Sequence, residues 1–293
     1  MYINLLKQRR FFPMFIVQSF TALNDNILKN SIMIFFTLRL TSEASNSDIT
    51  FLANASNFLF ILPYIIFSGT AGQIADKYIK AYSVRTLKLL EIIIAIIASI
   101  GFYFHSFNTL LVTILLMGTQ STFYGTFKYA MIPEYIKTNE LLAGNALIES
   151  STFFAVILGS IVGVSSISHS DHIYTISMWL MCIAVFGWLA SLAIKPQQIE
   201  HKNVRIDINP YKSTRDVFKR CTGNKKLLLV IIGISWFWML GSFVVSEVPT
   251  ISNTFKGHPD IISMLYVIFT VGIGIGSLLS TRITVSLEMI KTV

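Results

Sequence analysis

A chain of 293 residues with 53% hydrophobic and 13% charged residues, at a mean hydropathy of +0.64, is too apolar for an ordinary soluble domain, where about a quarter of residues are charged. Its net charge of +8 does not point to nucleic acid, because the basic residues lie in short segments between apolar runs. Cys182 and Cys221 are too few for a disulfide framework or a thiolate metal site.

The apolar residues form eight runs of about 20, each long enough as a helix to cross about 30 Å of hydrocarbon. In chain order they lie near 12–38, 52–73, 84–104, 109–131, 141–165, 173–194, 227–250 and 261–281. Helix is required because a backbone facing lipid must satisfy its own hydrogen bonds. The basic start, Met1 to Arg10, precedes a run too long for a signal peptide and without a small-residue cleavage site, so it reads as an uncleaved first span.

The first run is interrupted by Asn24, Asp25, Asn26, Lys29 and Asn30. A carboxylate at that depth costs at least a few kcal/mol unless it is paired or faces a wet cavity. Asp25 and Lys29 are four apart, share a helix face and can pair. A polar site lining a transport pathway and an internal ion pair that orients helices both fit. In the third run, Lys88 reads as a snorkelling side chain and Glu91, three residues on, as its partner or as a functional acid. Lys128 in the fourth run is similar but deeper. Glu149 lies about two turns into the fifth run without a local cation, which calls for a partner on another helix. Glu247 in the seventh run precedes Pro249, which removes a backbone donor and can bend the outer end. A cavity role and a structural role are both open for Glu149 and Glu247.

Gly159 with Gly163, and Gly272 with Gly276, are small pairs that let helices approach closely. Gly272, Gly274 and Gly276 superficially imitate a dinucleotide loop, but they lie inside an apolar run rather than between a strand and a helix. There is no HExxH, GxSxG, P-loop or HxxxxD pattern, and the five histidines have no ligand spacing. Neither a catalytic residue, a cofactor nor a metal is expected.

All the Lys and Arg residues except Lys29, Arg39 and Lys256 fall in segments on one side of these spans. The asymmetry places the N-terminus and the even-to-odd loops in the cytoplasm. Six spans occupy residues 1–195, a basic loop follows at 196–226, and two spans fill 227–293. This is the hydropathy outline of major facilitator transporters, built from two six-helix halves. On that outline about four further helices would complete the second half, and the chain reads as truncated. Ile283–Val293 also lacks the glycine-rich turn expected before another span.

The loop after the second run, Gly72-Gln-Ile-Ala-Asp76-Lys77-Tyr-Ile-Lys80, resembles the G-x-x-x-D-R/K signature of the major facilitator superfamily, with Ile79 where a second glycine is usual. The resemblance implies that Gly72, Asp76 and Lys77 form a cytoplasmic latch between the halves. Three further stretches resemble the lysophospholipid transporter branch, including the transporter part of proteins fused to acylglycerophosphoethanolamine acyltransferase and acyl-ACP synthetase domains. They are Ala22 to Asn30, Phe127 to Glu134 followed by Gly144 to Glu149, and Ser235 to Trp238.

That resemblance implies an all-α integral membrane protein of the bacterial inner membrane. It would move lysophospholipids such as lysophosphatidylethanolamine inward for reacylation, with an acyltransferase or acyl-ACP synthetase as partner. Asn24, Asp25, Lys29, Lys128 and Glu247 become pathway residues, and Glu149 supports them from behind. An exporter of drugs or metabolites, and an inactive fragment or anchor for a separate acyltransferase, are the alternatives.

Overall fold

The computed structural model describes residues 2–40, 46–168, 174–197, 206–207, 209–254 and isolated positions at 268–269, 271–273, 275–276 and 279. A short helix α1 (Tyr2–Leu6) leads into α2 (Phe12–Leu40), α3 (Asn46–Lys77), α4 (Lys80–Tyr103), α5 (Phe107–Tyr135), α6 (Leu141–Ser168) and α7 (Tyr174–Leu192). After the basic segment come α8 (Pro210–Thr222) and α9 (Lys225–Thr254), and no strand is present among the described residues.

Local chemistry sets several boundaries. Ser106 caps α5 by accepting from the Thr109 amide at 3.4 Å, after a left-handed His105 (φ 53°) turns the chain out of α4. Asn209 caps α8 by accepting from the amides of Tyr211 and Lys212 at 3.1 and 3.3 Å, with Pro210 at the first helical position. The Arg85 guanidinium donates to the carbonyls of Leu192 and Ile194 at 3.2 and 2.9 Å, satisfying the C-terminal end of α7.

Helix α2 runs through the middle, packed on α6 and α7, while α4 lies between α5 and α7 and α3 packs on α5. The close approach of α2 and α6 depends on the expected small pair. A Cβ on Gly159 would lie 2.7 Å from the Asn26 Cβ, and one on Gly163 would lie 2.7 Å from the Ile27 carbonyl oxygen. Polar contacts run along the same seam: Gln18 donates to Thr152 at 2.9 Å, Asn30 to Ser160 at 3.1 Å, and Ser31 to the Gly163 carbonyl at 3.1 Å.

Two apolar clusters fill the bundle. One gathers Phe11, Val17, Val84, Phe127 and Ile148 with Ile194. The other gathers Ile32, Phe35, Ala98, Phe102, Ile114 and Leu180. Between them α2, α4 and α5 each carry polar side chains. Outward faces are apolar instead: Phe58, Ile65, Ile93, Ile100, Phe154 and Phe186 are all exposed. That inside-out pattern suits hydrocarbon as solvent.

Five of the described helices are long and apolar enough to span a membrane, or six if the bent pair α8 and Lys225–Gly241 counts as one. The eight spans read from the sequence are therefore not all recovered. Helix α2 has the length, 29 residues, but its Asn24–Asn30 run makes it less apolar than a lipid-facing helix, and neighbouring helices shield that run. The run at 261–281 and the Ile283–Val293 segment lie outside the described residues except for isolated positions.

A buried polar layer and its flanking charges

The centre of the bundle is a ring of hydrogen bonds on three helices. Lys88 and Glu91 of α4 are 0% and 1% exposed, and the Lys88 ammonium donates to Glu91 Oε2 at 2.6 Å and to Thr21 of α2 at 2.9 Å. Asn24 donates to Glu91 Oε1 at 3.0 Å, and Gln120 of α5 donates to Glu91 Oε2 at 3.2 Å. Ser121 then donates to Asp25 Oδ2 at 2.8 Å and approaches Gln120 Oε1 at 3.3 Å. The layer thus runs from Asp25 through Ser121, Gln120 and Glu91 back to Asn24. Asn24 Oδ1 and Asp25 Oδ1 are buried and accept no hydrogen bond among the described residues.

Gly187 of α7 makes the buried lysine possible, since a Cβ there would lie 2.7 Å from Lys88 Cε and 2.8 Å from its Nζ. Lys88 therefore does not snorkel, contrary to its reading in the sequence. Glu91 is close enough, and the helix on that face small enough, to hold the ammonium inside. The pairing of Lys88 with Glu91 at i,i+3 is as expected.

Asp25 and Lys29 do not form the i,i+4 ion pair that their spacing suggests. Among the described residues the ion pairs are Arg10–Glu140, Lys80–Glu134, Lys88–Glu91 and Lys212–Asp207. Asp25 turns toward Ser121, while the Lys29 ammonium stands 5.0 Å from the centroid of the Phe60 ring on α3. Lys128 likewise lies 4.3 Å from the Tyr129 ring centroid, and Tyr129 donates its hydroxyl to Glu149 of α6 at 2.7 Å. Glu149 has the partner on another helix that its depth required, and that partner is a phenol. A small pocket between α2, α4, α5 and α6 opens beside Lys128, lined by Met14, Val84, Tyr124 and Ile148. The side chain of Glu247 lies outside the described residues, although its backbone belongs to α9.

Missed in the sequence are Thr21, Gln120 and Ser121, uncharged residues with no pattern of their own. Only the depth they share with Asp25 and Glu91 could have singled them out.

One end of the bundle collects the basic segments. Arg10 and Gln8 bond Glu140 at 2.5 and 3.0 Å, and Lys80 bonds Glu134 at 2.6 Å. Asp76 is exposed at this end, Lys77 stands 5.8 Å from the Tyr78 ring, and a Cβ on Gly72 would meet nothing within 4 Å. Contact between α3 and the basic segment runs instead through Gly69 and Gln73. A Gly69 Cβ would lie 2.7 Å from the Thr214 amide nitrogen. Gln73 accepts from the Asp207 amide at 2.7 Å and donates to Ser213 at 3.1 Å.

Glu140 is held below the usual carboxylate range, first by the Gln8 amide and then by the Lys137 backbone amide and nearby cations. A depressed folded pKa adds stability above the ordinary glutamate value of about 4.3, and that stability is lost as pH falls through the folded value. Melting temperatures of wild type and Glu140→Gln should therefore differ at neutral pH and converge toward acid. A gap independent of pH would contradict the assignment.

The sequence model described as Major Facilitator Superfamily matches residues 14–292. The chain belongs to that superfamily. This facilitator is similar to the lysophospholipid transporter LplT of Serratia proteamaculans (strain 568), 24% identical over 239 residues, which are 80% of this chain and 56% of that protein. It is 25% identical over 280 residues to LplT of Escherichia coli O1:K1 / APEC, covering 92% of this chain and 66% of the relative. With LplT of Escherichia fergusonii it shares 25% identity over 229 residues, 77% of this chain and 53% of the relative. The facilitator chain thus spans between about half and two thirds of the length of these curated relatives. Membership groups it with multi-pass membrane transporters rather than enzymes, in keeping with its apolar helices.

Proposed function

We propose that this facilitator takes part in moving lysophospholipids, such as lysophosphatidylethanolamine, inward across the bacterial inner membrane by alternating access. Likeness to LplT over most of the chain supports the substrate class. The observation that carries the reading is the buried polar layer between two apolar clusters. A lysolipid has a zwitterionic or anionic head and a single tail, so its path needs polar groups at depth and apolar walls beside them.

Lys29 and Lys128 suit the lipid phosphate, because each rests on an aromatic ring and has no ion pair among the described residues. Asp25 and Glu149 suit an ammonium head, and Asn24 adds an orphaned acceptor beside Asp25. Glu247 on α9 would join the pathway from the second half. An acyltransferase acting on the delivered lysolipid is the class of reaction that would consume the product.

The direct test is uptake of labelled lysophosphatidylethanolamine by spheroplasts lacking their own transporter, with membrane insertion checked by immunoblot. Uptake above the empty-vector level is expected, and its competition by excess lysolipid but not by cationic drugs. Insertion without uptake, or competition by drugs alone, would reject the substrate assignment.

The basic segments at one end of the bundle support a cytoplasmic N-terminus and a cytoplasmic α8. Cys221, half-buried in α8, should react with an impermeant maleimide in inside-out vesicles and stay unlabelled in intact spheroplasts. The reverse pattern would invert the topology.

A further inference from the structure

Helix α8 is the one amphipathic element in the described chain that lies beside the bundle rather than within it. Ser213 is buried against Gly69 of α3. Tyr211 and Phe218, seven apart and so on one face, lie about 140–160° round the helix from Ser213 and are 77% and 68% exposed. Next to them, at helical spacing, come Arg215 and Lys219, with Lys212, Arg220 and the acidic Asp216 further round. Lys212 is occupied by Asp207 at 2.7 Å, whereas Arg215, Lys219 and Arg220 have no ion-pair partner among the described residues. Asn224 caps the start of α9, accepting from the Lys226 and Leu227 amides at 3.1 and 3.3 Å. The chain bends there by 112°. If α9 crosses the bilayer, this bend, close to a right angle, lays α8 nearly in the plane of the membrane.

Two exposed aromatics beside unpaired cations, on a helix lying along the membrane face, fit one kind of partner. We infer that α8 is an interfacial helix that sinks Tyr211 and Phe218 among acyl chains and binds anionic phospholipid headgroups through Arg215 and Lys219. The chemistry is that of amphipathic interfacial helices, whose apolar face enters the headgroup boundary while cations attract acidic lipids. The complement is one of charge as well as shape: a zwitterionic lipid offers the aromatics a place but gives the unpaired cations no net partner. Gln73 and Gly69 then connect the lipid contact to α3, so that the headgroup composition of the leaflet bears on a helix of the bundle. This site is separate from the polar layer and does not depend on what the facilitator carries.

The test uses the full chain with Phe218→Trp, reconstituted in phosphatidylcholine vesicles that contain phosphatidylglycerol. Fluorescence is read as the difference from the unsubstituted chain. Either the phosphatidylcholine or the phosphatidylglycerol is brominated, at equal mole fraction. Brominated phosphatidylglycerol should quench the residue-218 signal more strongly. Adding Arg215→Gln and Lys219→Gln should abolish that preference, since each basic residue near a membrane is worth about fivefold in anionic-lipid affinity. The charge-preserving pair Arg215→Lys and Lys219→Arg should retain it and thereby control for helix disruption. Equal quenching by both lipids would overturn the headgroup claim. No quenching by either lipid would overturn the proposal altogether: blue-shifted emission would mean that protein covers the face, red-shifted emission that water does.

Discussion

Glu91→Gln is expected to be the most destabilising single change in the described bundle. It leaves the Lys88 ammonium, 0% exposed, beside a neutral amide in place of the carboxylate 2.6 Å away. Removing one partner of a buried ion pair typically costs about 3–5 kcal/mol, because the other charge stays uncompensated. Lys88→Met alone should cost less, since Glu91 keeps its hydrogen bonds from Asn24 and Gln120. The double variant Lys88→Met with Glu91→Gln should recover much of the loss, as the amide can still accept from Asn24 and no charge remains unpaired. Thermal unfolding of the detergent-purified protein checks this as a double-mutant cycle. Additive effects of the two substitutions would mean that the pair is not coupled as the geometry requires.

Asp25→Asn is expected to have the largest effect on transport with little effect on folding. The asparagine carbonyl can still accept from Ser121, which now bonds Asp25 Oδ2 at 2.8 Å, so the tie between α2 and α5 persists. What disappears is the ionisable carboxyl group whose second oxygen is buried and unpartnered among the described residues. A hydrogen bond to a charged group is worth about 1.5–3 kcal/mol, which corresponds to a loss of roughly 10- to 100-fold in lysolipid uptake. Membrane insertion and melting temperature should stay near wild type. Wild-type uptake in this variant would remove Asp25 from the pathway. An equal fall in uptake and in melting temperature would make its role structural.

The polar residues of the first span illustrate how far the sequence could be followed. Asn24, Asp25 and Lys29 stand out in an apolar run because charge at that depth is costly, and depth is readable from position alone. Their partners were not readable. Local spacing favours an Asp25–Lys29 pair, yet Ser121 lies 96 residues away in sequence and captures the carboxylate, while Phe60 takes the lysine. Lys88 failed in the opposite direction. A lysine near a helix end normally reaches for water, and only the bare Cα of Gly187 on another helix leaves room for it inside. Neither the Gly187 contact nor the Gln73 bridge to α8 has a periodicity or a motif that would announce it.

Membrane residence, helical class and the family were settled by the order of residues along the chain. Each rests on sums over 20 or so neighbours or on motifs within one segment, and such quantities do not depend on how helices pack. Which polar groups meet, which charge is buried and which residues of α3 hold the basic segment were settled by packing alone. These depend on distances between residues far apart in sequence, where a single glycine or a rotation of one helix face changes the partner. Hydrocarbon sharpens the difference: with no water to satisfy a stray polar atom, the helices must choose among the partners that the fold brings within about 3 Å.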